Sequence, residues 1–225
     1  MTVSLPRPVA ALAERLGARK VAGGRASLRQ SGTLRGLGAK GWVNFTADQW
    51  LAAGETAFRW CARVGPLGLV HVEDALVEGE PKSRAKAFGL VPMMRAEPSH
   101  ELLEGQLQRY LAELAWNPDA LLSNPALEWE EKGEGVLSVT QRSGVVAAGV
   151  EIHLGADGLP ERTFAMRQAA EKGGFVLRPW HGAFSDWRRI EGRLIPHGGR
   201  VAWEVDGERF EVWRGRIEAW RPPAA

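Results

Sequence analysis

Cysteine and tyrosine are nearly absent from the sequence, which contains one of each among 225 residues. With Cys61 as the single thiol, the chain has no internal disulfide, which excludes the disulfide-stapled class of small secreted domains. Chains of this length bury enough surface to fold without such a crosslink or a structural metal. The first residues also lack the basic-then-apolar pattern of a signal peptide, because Glu14 interrupts the apolar run there. We therefore expect a cytoplasmic protein.

Long apolar runs and an excess of charge of either sign are absent as well. No stretch approaches the roughly 20 apolar residues of a membrane-spanning helix, so we expect no transmembrane segment. The chain has 29 Lys and Arg residues against 27 Asp and Glu residues, and the two signs interleave along most of it. Proteins that bind nucleic acid usually carry a basic patch or stripe. The charge pattern therefore argues against a nucleic-acid partner.

Motifs of known catalytic and cofactor sites are missing from the sequence. It has no P-loop, no Gly-x-Gly-x-x-Gly turn after a strand, no Gly-x-Ser-x-Gly elbow and no His-Glu-x-x-His helix. The five histidines lie singly, without the spacing of metal ligands. We therefore predict no cofactor, no metal site and no assignable catalytic residue, and the oligomeric state stays open.

What the sequence does contain is a repeated alternation of apolar and polar residues. The alternation is clearest in residues 26–35, 56–64 and 145–154, and a period of two is typical of antiparallel strands with one covered face. Asp206-Gly207 and Glu191-Gly192 lie between alternating runs, as two-residue hairpin turns do. We predict an α+β fold in a single domain of residues 1–225, with a curved antiparallel sheet over 25–221 that forms an open or half β-barrel.

Two helices interrupt the predicted sheet. A short one over residues 8–17, within an N-terminal helical segment 1–24, begins with Pro8 at its first position. A longer one over residues 99–116 has Ser99 as its N-cap and a stripe of leucines, and Asn117-Pro118 ends it. We expect the longer helix to lie against the concave face of the sheet.

Residues 42–51 allow two interpretations. Thr46 and Gln49 have the spacing of a capping box, with aromatic residues at the staple positions, and this favours a helical turn over residues 47–53. The alternative is one continuous strand in which Trp42, Thr46 and Trp50 share a face. We favour the turn.

Tryptophan is unusually common, with ten residues in the chain. Core packing accounts for most buried aromatic side chains, but a curved sheet that carries several of them also suits an apolar cavity. Asp74 alternates onto the apolar face of its strand, where a carboxylate needs a partner. We interpret Asp74 either as the polar anchor of a cavity or as a structural residue, in a bulge or in a salt bridge to an arginine across the sheet. The candidate cavity wall consists of Phe58, Trp60, Asp74, Phe88, Trp180 and Trp203.

Two other classes of function remain as alternatives. The first is an enzyme of unknown class that uses Asp74, Asp186 and His181, although His181 and Asp186 have opposite parity on an extended strand, which does not suit an acid–base pair. Cys61 is flanked by two arginines that would lower its pKa, but a bystander thiol is the simpler interpretation. The second is a protein-interaction module that uses a sheet edge or an exposed tryptophan patch.

The order of motifs resembles a bacterial family of unknown function. The resemblance rests on WVNFTADQW, AFRWCARV, KAFGLVPM, EGQLQRYLAELAWNPDALL and FSDWRRIEGRLIP, and it covers about residues 25–220. More distantly, the layout is similar to the unclosed half-barrels of the lipoprotein carriers LolA and LolB. That likeness implies an incomplete barrel around helices, with acyl chains bound in the hollow. We therefore expect a non-catalytic binder of a lipid, a fatty acid or another hydrophobic small molecule.

Overall fold

Antiparallel strands form one curved sheet in the computed structural model, which describes residues 5–37, 39–171 and 174–224. Within these residues thirteen strands follow the spatial order β6-β5-β4-β3-β2-β1-β13-β12-β11-β10-β9-β8-β7. The strands are β1 (Arg25–Gly36), β2 (Ala39–Ala52), β3 (Phe58–Val64), β4 (Val70–Val77), β5 (Glu80–Ala87), β6 (Val91–Arg95), β7 (Glu128–Gly133), β8 (Val136–Ser143), β9 (Val146–Leu154), β10 (Pro160–Glu171), β11 (Gly174–Ile190), β12 (Arg193–Val205) and β13 (Glu208–Arg221). Strands β6 and β7 are its edges, so the sheet is open, as predicted.

Both predicted helices are present. They are α1 (Arg7–Leu16) and α2 (His100–Ala112), and a four-residue helix α3 (Ala120–Ser123) follows. The hydroxyl of Ser99 accepts a hydrogen bond from the amide of Leu102, so the N-cap of α2 is confirmed. Helix α2 ends at Ala112 and a 3₁₀ turn continues to Trp116, where the prediction had one helix. Residues 1–4 of the predicted N-terminal segment lie outside the described residues.

The hairpin turns agree with the sequence. Asp206 and Gly207 have φ values of 53° and 82°, and Glu191 and Gly192 have values of 47° and 82°. Positive φ at both central residues is the geometry of the turn that matches the twist of antiparallel strands. These turns therefore join β12 to β13 and β11 to β12 without strain on the pairing.

The favoured interpretation of residues 42–51 was wrong. Strand β2 runs without a break through this segment, with Phe45 and Ala47 buried and Thr46 and Asp48 exposed. It pairs with β1 on one side and β3 on the other. Ladder hydrogen bonds on both sides satisfy the backbone better than a local cap does, so tertiary context decides the conformation.

The chain fills the sheet as two meanders that meet where β1 pairs with β13. We call β2–β6 the first arm and β7–β12 the second arm. Helix α2 packs against β4 and β5 of the first arm and against β8, β9 and β10 of the second. Six strands lie between β4 and β10 in the sheet. The sheet must therefore curve strongly for both arms to reach the same helix.

A buried ion pair fixes the segment after α2 to the second arm. The carboxylate of Asp119 accepts hydrogen bonds from Arg193 on β12, with Oδ2 at 2.7 Å from Nη2 and Oδ1 at 3.2 Å from Nε. Its Oδ1 also accepts the amide of Arg19, at 2.8 Å. The side chain of Asp119 is fully buried and that of Arg193 is 6% exposed. This one carboxylate thus joins the N-terminal segment, the α3 segment and β12.

We predict that Asp119→Asn lowers the free energy of unfolding by about 3 kcal/mol, because removing one charge of a buried pair leaves the other uncompensated. Urea denaturation followed by circular dichroism measures this loss. Asp186→Asn is the control, since the Asp186–Arg188 pair is exposed and Asn tolerates its positive φ of 56°. Equal midpoints for both variants would contradict the role of Asp119.

Candidate functional site

An apolar cavity of about 580 Å³ lies between the sheet and helix α2. Its volume is within the roughly 300–1,000 Å³ of small-molecule sites. Strands of both arms, β1, β13 and α2 supply its walls, and exposed Met94 of the edge strand β6 and Phe175 of β11 also line it. Five of the ten tryptophans line it, namely Trp60, Trp116, Trp180, Trp203 and Trp213.

Strand alternation explains why these side chains face the cavity. On β3 the buried positions are Phe58, Trp60, Ala62 and Val64, and the residues between them lie on the other face. Trp180 of β11 and Trp203 of β12 are directly paired across the sheet. Side chains of directly paired residues lie on the same face. The two indoles therefore belong to one continuous part of the wall.

A chain of polar side chains runs from α2 to the sheet along one side of the cavity. Arg109 of α2 donates to Asp74 Oδ2 at 2.7 Å and to Glu113 Oε1 at 3.0 Å. Glu113 in turn accepts a hydrogen bond from the side-chain amide of Gln49 on β2. The network continues through Gln30 on β1 and ends at the indole of Trp60, with two hydrogen bonds of 2.8 Å. Helix α2 is thereby tied to the first four strands.

The two carboxylates keep the charge of Arg109 stable inside the protein. Burial alone would lower the pKa of Arg109, but Glu113 and then Asp74 more than offset it, and the pKa lies above its usual value. The guanidinium also lies 5.0 Å from the Trp60 ring centroid. Asp74 thus forms a salt bridge, but its partner is an arginine of helix α2 and not an arginine across the sheet.

The structure brings together four of the six predicted wall residues. Trp60, Asp74, Trp180 and Trp203 all line the cavity. Phe58 shares their face but is fully buried in the core against α2, so it lies behind the wall. Phe88 is a correction: it is 67% exposed in the turn after β5, where its φ of 51° takes it out of the strand alternation on which the prediction relied.

The residues of the enzyme alternative are not brought together. His181 Nε2 lies 3.1 Å from Glu204 Oε2, and Asp186 pairs with Arg188 instead. Burial lowers the pKa of His181 from its ordinary value, which favours the neutral ring. Among the described residues, no group of three or more His, Cys, Asp or Glu side chains is placed to hold a metal ion.

Sequence reasoning missed two arginines of the cavity, Arg109 and Arg167. The spacing of Arg109 to Glu113 is that of an i,i+4 ion pair on one helix. Arg167 lies on the same face of β10 as Thr163 and Ala165, and both of these residues are buried. A cation on the covered face of a strand is the same signal that singled out Asp74, and it was available in the sequence.

A second hollow, of about 780 Å³, lies on the opposite face of β1–β5. Its charged lining includes Glu73 and two arginines, Arg59 and Arg84, each of which forms an ion pair with Glu73. Cys61 also lines this hollow, and burial raises the pKa of its thiol above 9.0 although Arg59 opposes this. The flanking arginines thus do not activate Cys61. A hollow with such a lining is less suited to an apolar ligand than the tryptophan-walled cavity.

The comparison with protein families decides the membership of the chain. The model of a family of unknown function, DUF6920, matches residues 3–221. The chain belongs to this family. The resemblance inferred from the motif order is therefore confirmed. The sequence matches no curated protein.

Solved structures show that this DUF6920 fold is LolA-like. A LolA superfamily protein of Nitrosomonas europaea is 11% identical with a TM-score of 0.53, over 96% of this chain and 94% of that one. A DUF1329 family protein of Desulfovibrio piger is 14% identical with a TM-score of 0.54, over 96% and 93%. At these identities the likeness shows the fold alone. In the part of the chain that the structure describes, no helix is long and apolar enough to cross a membrane.

We predict that Cys61 reacts slowly with iodoacetamide at neutral pH and that its rate rises at a higher pH than the rate of a free thiol. The pKa of its thiol is raised, so the reactive thiolate forms at higher pH than in a free thiol. Mass spectrometry of timed samples between pH 6 and pH 10 gives the rate, with glutathione as the reference thiol. A rate that levels off below pH 8 would show that the arginines dominate after all.

Proposed function

We propose that this DUF6920 protein is a non-catalytic binder of an acyl chain, which it takes up in the cavity between the sheet and α2. The observation that carries the proposal is the set of five cavity tryptophans. Indole rings supply a large and rigid apolar surface. The cavity fits the chain of a fatty acid or lipid better than a polar metabolite, because apolar surface gains most by burying apolar surface.

The placement of helix α2 supports this proposal. We infer that α2 lies on the concave side of the sheet, because only a sheet wrapped around it brings β4 and β10 to the same helix. The hydrogen bond from the Trp116 indole to the carbonyl of Pro196, at 2.8 Å, fixes one wall to β12. The hollow is thus held open between two anchored layers, and an apolar chain can enter without unfolding the core. The cytoplasmic location stays a prediction from sequence.

Likeness to the LolA superfamily is consistent with this function. The fold of the Nitrosomonas europaea protein aligns with almost the whole chain. An open sheet that curves around a helix leaves space between its layers, which a closed small barrel fills with side chains. The tryptophans belong to this chain and support the proposal independently of the likeness.

The first test is native mass spectrometry of the purified protein beside the same sample after denaturation. An extra mass that disappears on denaturation, and that fragments as a lipid or fatty acid, is the expected result. A protein that shows only its own mass, and gains none when 1-decanol is added, would place the tryptophans in a filled core and overturn the proposal.

We predict that Trp203→Ala weakens the binding of the neutral fluorescent probe N-phenyl-1-naphthylamine about tenfold, which corresponds to about 1.4 kcal/mol. The substitution removes an aromatic wall that the probe contacts. Trp50→Ala is the matched control, because Trp50 is also partly buried but lies on the outer face under the guanidinium of Arg25. Equal affinities in the two variants would show that the probe binds elsewhere.

A further inference from the structure

Arg167 is placed on the cavity side of β10. It shares the covered face of the strand with Thr163 and Ala165, and it lines the cavity. Its guanidinium lies 4.8 Å from the ring centroid of Trp180 and 5.9 Å from that of Trp203. The cation therefore lies over the two indoles that the sheet pairs directly.

The hydrogen bonds of Arg167 leave part of its donor fork unused. Its Nη2 donates to the carbonyl of Gly105 on α2 at 2.6 Å. Its Nε is buried and has no hydrogen-bond partner among the described residues. The two nearest cavity carboxylates, Asp74 and Glu113, are both bonded to Arg109, at 2.7 Å and 3.0 Å. Within the described part of the chain no carboxylate forms a salt bridge with Arg167.

The charge on Arg167 nevertheless persists at physiological pH. Burial, and then the neighbouring charge of Arg109, lower its pKa to about 10, which leaves the group protonated at pH 7. A partly buried cation that no carboxylate pairs with directly is unfavourable. An anion bound to it gains a charge-assisted interaction and uses the free Nε–H donor. A guanidinium binds carboxylates and phosphates in the same planar, two-pronged geometry.

We propose that the acyl ligand carries an oxyanion head group, a carboxylate or a phosphate monoester, which Arg167 binds inside the cavity. This inference rests on the proposed function and adds the class of the ligand to it. The head group pairs with the unused edge of the guanidinium near Trp180 and Trp203, and the acyl chain extends along the wall towards Trp116 and Trp213.

Arg35 and Arg200 also line the cavity, but Arg200 is exposed and pairs with Glu211. Arg35 is therefore the competing cation, because its Nε also lacks a partner among the described residues. The rings that it stacks on are those of Trp42 and Phe210, at 4.7 Å and 4.6 Å. Neither ring lines the cavity, whereas both rings under Arg167 do. The geometry therefore favours Arg167 as the head-group site.

Displacement of N-phenyl-1-naphthylamine at pH 7 by decanoate, decyl phosphate and 1-decanol tests the inference, since these ligands share one chain and differ in the head group. We expect at least one of the two anions to displace the probe at about tenfold lower concentration than the alcohol. The ratio between decanoate and decyl phosphate identifies the preferred head group. In Arg167→Gln, the ratio between the displacing concentrations of 1-decanol and of the preferred anion should fall close to one.

Matched variants distinguish a specific effect of Arg167 from the general effect of removing a positive charge. Arg25→Gln also removes a guanidinium that stacks on a tryptophan, at 3.9 Å from Trp50, but on the outer face. It should keep the preference for anions. Arg167→Met, which retains packing on the indoles, is measured in parallel with Arg167→Gln, and circular dichroism identifies which of the two is folded. If a folded Arg167 variant still prefers the anions over 1-decanol as strongly as the unmodified protein does, Arg167 is not the head-group site. The same conclusion follows if only Arg35→Gln loses this preference.

The outcomes also separate this inference from the proposed function. Equal displacement by all three ligands in the unmodified protein would overturn the oxyanion head group and leave the acyl-binding cavity standing. No displacement by any ligand, together with no binding of the probe, would overturn the cavity proposal itself.

Discussion

The guanidinium of Arg109, held between Asp74 and Glu113, is the interaction on which the rest of the structure depends. Through it helix α2 is fixed to the first arm, and Gln108 fixes the same helix to the second arm by donating to the carbonyl of Met166 at 2.8 Å. Within the described residues, strand pairing joins the two arms only through the centre of the sheet. Their outer strands are held in place by a helix, and a charge buried at that contact is costly unless both carboxylates stay in position.

Tryptophan suits this arrangement because each end of the side chain does a different task. The indole N–H of Trp60 is bonded to Gln30 and that of Trp116 to Pro196, while their rings line the cavity. The polar atom is thus satisfied within the protein and the apolar body faces the hollow. A phenylalanine in either position would supply the surface without the anchor. The wall gains rigidity without exposing a donor to an apolar ligand.

The sequence contains enough information for the sheet but not for the site. Asp206-Gly207 and the interval from Ser99 to Pro118 identify a hairpin and a helix because their signals act within a few residues. The segment around Thr46 gave the wrong answer, since neighbouring strands decide its conformation and a local motif cannot report them. The site depends on which helix face meets which arm, and no local pattern contains that pairing. Alternation along the strands predicted that Trp180 and Trp203 lie in the cavity wall. It could not predict that Arg109 is the salt-bridge partner of Asp74.

The pairing of β1 with β13 also sets the order in which this protein can be assembled on the ribosome. Strand β1 is the first of the described strands to be synthesised and β13 the last, and they are neighbours in the finished sheet. Until β13 emerges, one side of β1 exposes a row of unpaired amides and carbonyls, which is a template for association with other chains. Contacts between residues so distant in sequence form slowly. The β1 edge of the nascent chain therefore stays open to association with other chains until β13 has been synthesised.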